Sequence, residues 1–190
     1  VWDLVSPGAP VVLKGHDDSV LGALFIADGM SVLTWSNDKT ARIWDAATGA
    51  ERRALRGHTE PVRTAILSAD GKRVITGSDD KTVRVWDVAS GKVIQVLEGH
   101  TDQVLCVTEA SDGSIAAGSS DNTVRIWDME TGEASVVSLP ATCWHLVPGK
   151  SGDLFYAVSF RVEPQDYVDY HEWAMSYKKE YAFEIDAAQK

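Results

Sequence analysis

SDDKTVRVWD, residues 78–87, is the stretch whose reading decides the fold. Close versions stand at residues 36–45, SNDKTARIWD, and at residues 119–128, SSDNTVRIWD. Each ends on a Trp-Asp pair: Trp44-Asp45, Trp86-Asp87 and Trp127-Asp128, and Trp2-Asp3 carries the series back to the start of the chain. Three Gly-His pairs run in phase with them, Gly15-His16, Gly57-His58 and Gly99-His100, with the histidines 42 residues apart. A fixed period of this size signals an architecture in which no unit buries its apolar face alone and each stacks on its neighbours.

Within one period the pattern is that of strands and tight turns. Residues 62–67 alternate apolar with polar, as a half-buried strand requires. Ser68-Ala69-Asp70-Gly71 is a turn with glycine placed for positive φ. Residues 73–78 form a second strand, Asp79-Asp80-Lys81 turns the chain into residues 82–86, and Ala89-Ser90-Gly91 leads into residues 92–97. The other periods repeat these turns as Ala27-Asp28-Gly29 and Ser111-Asp112-Gly113, then as Ala47-Thr48-Gly49 and Glu130-Thr131-Gly132. The result is an antiparallel meander, and no segment of the repeats sustains a helical period.

These motifs resemble those of the WD-repeat family, whose units fold as four-stranded antiparallel blades of a β-propeller. The resemblance covers residues 1 to about 139 well and the last fifty poorly. It implies an all-β propeller segment in which residues 1–14 are the second half of a truncated blade. Residues 15–56, 57–98 and 99–139 are then full blades, and 140–190 a degenerate last blade. This count falls short of the usual seven. The expectation is an incomplete ring, a segment of a longer propeller whose missing blades come from the same or another chain. Unpaired sheet faces on such an arc invite association.

The resemblance also assigns the polar residues. In the second period Trp86 donates its indole N–H to Thr76, Thr76 bonds His58, and His58 bonds Asp80. In the first the same set is Trp44, Thr34, His16 and Asp38. A histidine, hydroxyl and carboxylate together suggest a catalytic triad, but catalysis needs such a group once, and these recur in each regular repeat. Buried polar side chains each need a partner, and one chain of bonds serves all four. They read as structural staples, with no catalytic residue among them. The third period departs: Ala117 stands where Thr34 and Thr76 stand, leaving His100, Asp121 and Trp127 without the central hydroxyl, with Ser119 or a water as substitute. Without a substitute that blade is looser by about 1 kcal/mol. Arg42, Arg84 and Arg125, two residues before each Trp, read as a solvated strand face whose stems cover apolar surface, ahead of a stripe of basic contacts around the rim.

Family resemblance places partner contacts just after Gly-His and just before the turn aspartate. Mapped here, these positions are Ser19, Leu21 and Asn37; Pro61, Arg63 and Asp79; and Gln103, Leu105 and Ser120. They differ from period to period, and variation inside a strict repeat marks positions free to carry specificity.

After Pro140 the period fails. Residues 143–147 and 153–160 read as two strands, and EYAFEID at 180–186 replaces the third strand without its Trp. Between them residues 161–179 form an aromatic-rich insertion, with Tyr167, Tyr170, Trp173 and Tyr177 at helical spacing after Pro164. A short helix and an extended hairpin both fit. In either form the insertion leaves on the face where the resemblance places partner contacts, where Tyr and Trp supply area at low entropic cost; the alternative is a lid packed on its own blade or on a missing neighbour. Cys143 and His145 fall on one strand face, but no further ligands have zinc spacing, so neither a metal nor another cofactor is expected.

A net charge of −10 argues against nucleic acid and anionic membrane, which need a basic footprint, and permits basic partners. No apolar run is long enough to span a bilayer. Two cysteines, Cys106 and Cys143, fit buried thiols in a reducing compartment, hence a cytoplasmic or otherwise intracellular protein. The expected function is a non-catalytic protein–protein interaction scaffold within a larger intracellular assembly. The alternatives are a regulatory or sensor propeller domain of a larger enzyme or signalling ATPase, and a receptor for basic tails.

Overall fold

The computed structural model describes residues 10–26, 29–148, 154–159 and 181–186. Among them every regular element is a β-strand. The chain divides into two compact units, Val1–Gly99 and His100–Lys190.

The first unit holds two four-stranded sheets. One is built from β1 (Val20–Phe25), β2 (Ser31–Ser36), β3 (Thr40–Asp45) and β4 (Glu51–Arg56). The other is built from β5 (Val62–Leu67), β6 (Arg73–Ser78), β7 (Val83–Asp87) and β8 (Val93–Leu97). In both, strands pair in sequence order and antiparallel, as hairpin turns of a few residues dictate. The second unit holds β9 (Val104–Glu109), β10 (Ile115–Ser119), β11 (Thr123–Trp127) and β12 (Ala134–Ser138) in a third such sheet. A three-stranded sheet of β13 (Cys143–Pro148), β14 (Leu154–Ser159) and β15 (Tyr181–Asp186) follows. The EYAFEID segment thus takes the third-strand place, with Phe183 opposite Ala157. The 161–179 insertion, and with it Tyr167, Tyr170 and Trp173, lies outside the described residues, as do residues 1–9.

Burial follows position in the blade. The second strand is covered on both faces, so β6 is buried from Val74 to Ser78, while the outer β8 leaves Val93, Ile94 and Val96 exposed. A central strand can therefore be apolar on consecutive residues, whereas an outer strand keeps one wet side. In the first unit Ile26, Leu33, Ala41, Ile43 and Leu55 of the first blade pack against Ala65, Val74 and Trp86 of the second. In the second unit Cys106, Ala110, Ala116, Val124 and Ile126 pack with Cys143 and Leu146. Each fully buried Val, Leu or Ile contributes about 1.5–3 kcal/mol, which is why a blade stacks instead of standing alone.

One feature of size explains a break in the repeat. The position after Thr34, Thr76 and Ala117 is glycine in two blades, Gly77 and Gly118, but Trp35 in the first. The residue opposite is Thr64 or Cys106 in those blades and Gly22 in the first. A Cβ on Gly22 would lie 2.1 Å from the Trp35 ring. Bulk is exchanged across the strand pair, and the Trp35 indole donates to the Arg63 carbonyl of the neighbouring blade at 3.1 Å.

Candidate functional site

In the second blade the polar residues close on one another. The Trp86 indole N–H donates to Thr76 Oγ1 at 2.8 Å. Thr76 Oγ1 lies 2.8 Å from His58 Nε2, and His58 Nδ1 lies 2.8 Å from Asp80 Oδ2. A carboxylate only accepts, so Nδ1–H donates to Asp80 and Nε2 accepts from the threonine hydroxyl. The first blade repeats the chain of bonds at 2.7 Å for each step, through Trp44, Thr34, His16 and Asp38. Each side chain bonds to the next member of the set, and the hydroxyl that a nucleophile would need is buried between a ring and an indole.

Residues that the sequence reading passed over hold this chain in place. Thr82 donates its hydroxyl to Asp80 Oδ1 at 2.7 Å, and Ser78 donates to the Glu60 carbonyl while accepting from the Asp80 N–H. Burial opposes the Asp80 charge, but the bonds from His58 and Thr82 overcome it and hold the carboxyl well below the usual range. Gly57 precedes His58 because a Cβ there would meet Arg84 Nη1 at 3.0 Å and the Trp86 ring at 3.3 Å. The aspartate of Trp-Asp has a separate role, in which Asp87 Oδ1 accepts from the N–H and hydroxyl of Ser90 and so fixes the turn into β8. The signal for all of these was present in the recurring Ser-x-Asp-x-Thr and Gly-His spacing.

The third blade keeps one of the three bonds, that between histidine and aspartate. His100 Nδ1 lies 2.9 Å from Asp121 Oδ2, but His100 Nε2 is buried with no hydrogen-bond partner. Ser119 does not substitute for the missing hydroxyl. It donates to the Asp102 carbonyl and accepts from the Asp121 N–H, the same role that Ser78 fills. Burial pushes the His100 pKa below its ordinary value, against the pull of Asp121. The Asp121 carboxyl is opposed by burial yet lowered to about 2 by bonds from Thr123, Thr101 and His100.

Arg42 corrects the reading of a solvated face. Arg42 is 4% exposed and lies between Asp38 Oδ2, at 3.2 Å, and Glu51 Oε2, at 2.8 Å. The strand register explains why it stands apart: Glu51 opposite Trp44 becomes Val93 opposite Trp86 and Ala134 opposite Trp127. Arg84 and Arg125 lack that carboxylate, are partly buried, and leave Nε without a partner.

Around these networks lie the variable positions. Asn37 donates its N–H to the Ser19 carbonyl, Asp79 to that of Pro61, and Ser120 to that of Gln103, each at 3.0 Å. Each blade therefore brings two of its three expected contact residues together through one recurring backbone bond. Arg63 and Asp79 form a two-pronged ion pair at 2.8 and 2.6 Å. Ser19 and Leu21 are exposed; Pro61, Gln103, Leu105 and Ser120 are half-buried, as is Asn37, whose Oδ1 is buried without a partner.

A β-bulge recurs at the start of each first strand. Val20 pairs with Ser36 and Gly22 with Trp35, so Leu21 is the extra residue. Arg63 and Leu105 hold the same place in β5 and β9. A bulge re-aims the side chain it inserts, which accounts for these positions being free to vary. In β13 the extra residue is Trp144, 52% exposed, and the sequence reading missed it because the period had already failed. The same bulge corrects the pairing of Cys143 with His145. Cys143 and Leu146 are buried while His145 is exposed, so the two do not share a face.

The profile of the family described as WD domain, G-beta repeat matches residues 10–45, 49–87 and 91–128. No curated protein matches the chain. Solved structures match in large number. One of them, the crystal structure of the WD40 β-propeller domain of Doa1, is 29% identical with a TM-score of 0.70. The match covers 77% of this chain and 50% of that one, so the chain spans half the length of the domain it resembles.

Proposed function

This chain belongs to the WD40 family, and from that membership we propose that it is a non-catalytic protein–protein interaction scaffold within a larger intracellular assembly. WD40 propeller domains generally serve as interaction platforms, and the finer claim concerns which residues of this one engage partners. The observation that carries it is the pairing of variable residues on a constant frame. Ser19 with Asn37, Pro61 with Asp79, and Gln103 with Ser120 are each joined by the same backbone bond, beside the bulge residues Leu21, Arg63, Leu105 and Trp144. The polar groups that resemble catalytic machinery are meanwhile bonded to one another. Rigid backbone with unlike side chains is what selective recognition needs.

The reading extends to a further blade on β1, from this polypeptide or another. Val20 is 51% exposed, whereas its equivalent Val62 is fully buried where β5 packs on β1 and β2. Phe25 and Met30 add to the uncovered apolar surface.

A photo-crosslinking residue placed at 21, 103 or 144, and as a control at 93 on the outer strand β8, tests the contact assignment in cells. Protein crosslinks are expected from the first three and not from 93. Crosslinks concentrated at 93, or equal at all four, would overturn it. A second reading, a receptor for basic segments, is favoured by Asp17, Asp18, Glu60 and Asp102, all exposed in the turns before the first strands. Binding of a Lys/Arg-rich peptide that weakens steeply with salt supports this version, and binding indifferent to salt removes it.

A further inference from the structure

Cys106 and Cys143 are the only cysteines in the chain, and the second unit brings them together from strands in adjacent sheets. Their sulfurs are 3.8 Å apart, and both side chains are buried. Cys143 takes the inward position at the start of β13 that valine fills as Val62 and Val104 in β5 and β9, opposite the last residue of the second strand. Cys106 takes the position after the bulge that Thr64 fills in β5. The backbone of Gly118 makes the room: a Cβ there would lie 2.5 Å from the Cys143 sulfur and 2.7 Å from that of Cys106. Two residues that the repeat elsewhere fills with valine and threonine are here both thiols in contact, beside a glycine.

We propose that Cys106 and Cys143 are a redox-modification site, a dithiol that closes to a disulfide stapling β9 to β13 when the protein meets a peroxide. The sulfurs sit at contact distance and need to approach to about 2 Å to bond. The hydrogen bond across the sulfur–sulfur contact, in which either thiol can donate, holds the Cys143 thiol below its ordinary pKa and, with burial, pushes that of Cys106 above its own, so Cys143 acts as the first nucleophile. Its thiolate attacks one peroxide oxygen, the O–O bond breaks, and hydroxide leaves, giving a sulfenic acid on Cys143. The Cys106 sulfur then attacks the Cys143 sulfur and the S–OH bond breaks. The Cys106 proton and the departing hydroxide leave as water. Two thiols and one hydrogen peroxide become one disulfide and two waters. Because both sulfurs are buried, the reaction waits on opening of the seam between β9 and β13, and it runs more slowly than that of an exposed thiol.

Hydrogen peroxide treatment of the intact protein, followed by quenching and mass measurement, tests the proposal. The expected product is a monomer about 2 Da lighter, with denatured thiol titre falling from two to zero and a linked peptide pair containing Cys106 and Cys143. Dithiothreitol restores the thiols, and the oxidised form has the higher melting temperature. Cys106→Thr and Cys143→Val, which install residues the repeat itself uses at these places, are expected to stay folded and to lose the 2 Da product. The remaining thiol in each then gains oxygen instead. Retention of two thiols after prolonged treatment, separate oxygen additions on both cysteines without cross-linking, or disulfide-linked dimers would each overturn the proposal.

Discussion

The second and third blades carry the same backbone and differ at the centre of their polar networks. In the second, Thr76 stands between Trp86 and His58 and satisfies both. In the third, Ala117 stands there and His100 Nε2 has no partner. The rings have not collapsed into the gap: His100 and Trp127 are 5.7 Å apart, against 6.0 Å for His58 and Trp86. The ring arrangement is thus set by strands and turns, and the hydroxyl adds satisfaction of polar groups to a frame that exists without it. The His–Asp bond, with Ser119 and Thr123 behind it, is common to both blades and fixes the turn.

The sharpest way to break this comparison is to give the second blade the centre of the third. Thr76→Ala leaves the Trp86 N–H and His58 Nε2 buried without partners. Its expected cost is roughly 2–6 kcal/mol, since each of the two unsatisfied groups costs about 1–3 kcal/mol. Urea unfolding followed by tryptophan fluorescence measures it. A loss below about 0.5 kcal/mol would mean that the hydroxyl does not stabilise the blade.

The next effect concerns the first blade, where Trp35 and Gly22 replace the Gly77 and Thr64 of the second. Gly22→Ala drives a methyl into the Trp35 ring and is expected to cost about 1–3 kcal/mol. The double change Gly22→Thr with Trp35→Gly copies the second blade. It is expected to cost less than the sum of its parts by about 1 kcal/mol or more in a double-mutant cycle. Additive costs would show that the two positions do not compensate.

What was legible in the sequence follows from which interactions are periodic. The sheets, their order and the bonds joining His58, Thr76, Asp80 and Trp86 depend on residues recurring at one spacing, so one blade could be read from another. Ala117 was visible as the residue that breaks the set. The role of Ser119 was not, because only hydrogen-bond geometry shows that it is already occupied. Arg42 misled for a related reason: it shares its position with Arg84 and Arg125, and its burial depends on Glu51, nine residues on, where the other blades have Val93 and Ala134. The bulge was hidden as well. It shifts alternation by one residue, so Cys143 and His145 read as same-face neighbours when one is buried and the other exposed. Trp144, exposed where Leu21 stands in β1, went unread for the same cause.

Repair of the third blade is a smaller effect of opposite sign. Ala117→Thr supplies the absent hydroxyl between rings 5.7 Å apart, against 6.0 Å around Thr76. It is expected to stabilise by about 1 kcal/mol, the usual net value of one hydrogen bond. The melting temperature of the variant against the native protein decides this, and a decrease would show that the third blade is packed for alanine.

The smallest effect is the dependence of that blade on protons. Burial holds His100 neutral by lowering its pKa from the ordinary value of 6.5, with Arg125 adding to the shift and Asp121 opposing it. The unfolded chain therefore takes up a proton on His100 at a pH where the folded blade resists it. Stability from this residue is complete above pH about 6.5 and declines as pH falls below it. The carboxylates act lower down. Asp121, depressed to about 2, contributes stability above its unfolded value of about 4 and loses it as pH falls toward 2. Between pH about 6.5 and 5 the histidine is thus separable from Asp121. Subtracting the stability of a His100→Gln variant from that of the native protein across this interval cancels the other titrating groups. The difference is expected to shrink as the pH is lowered. A difference that grows on acidification would mean that the charged ring is the stabilised form, and that Asp121 outweighs burial in the third blade.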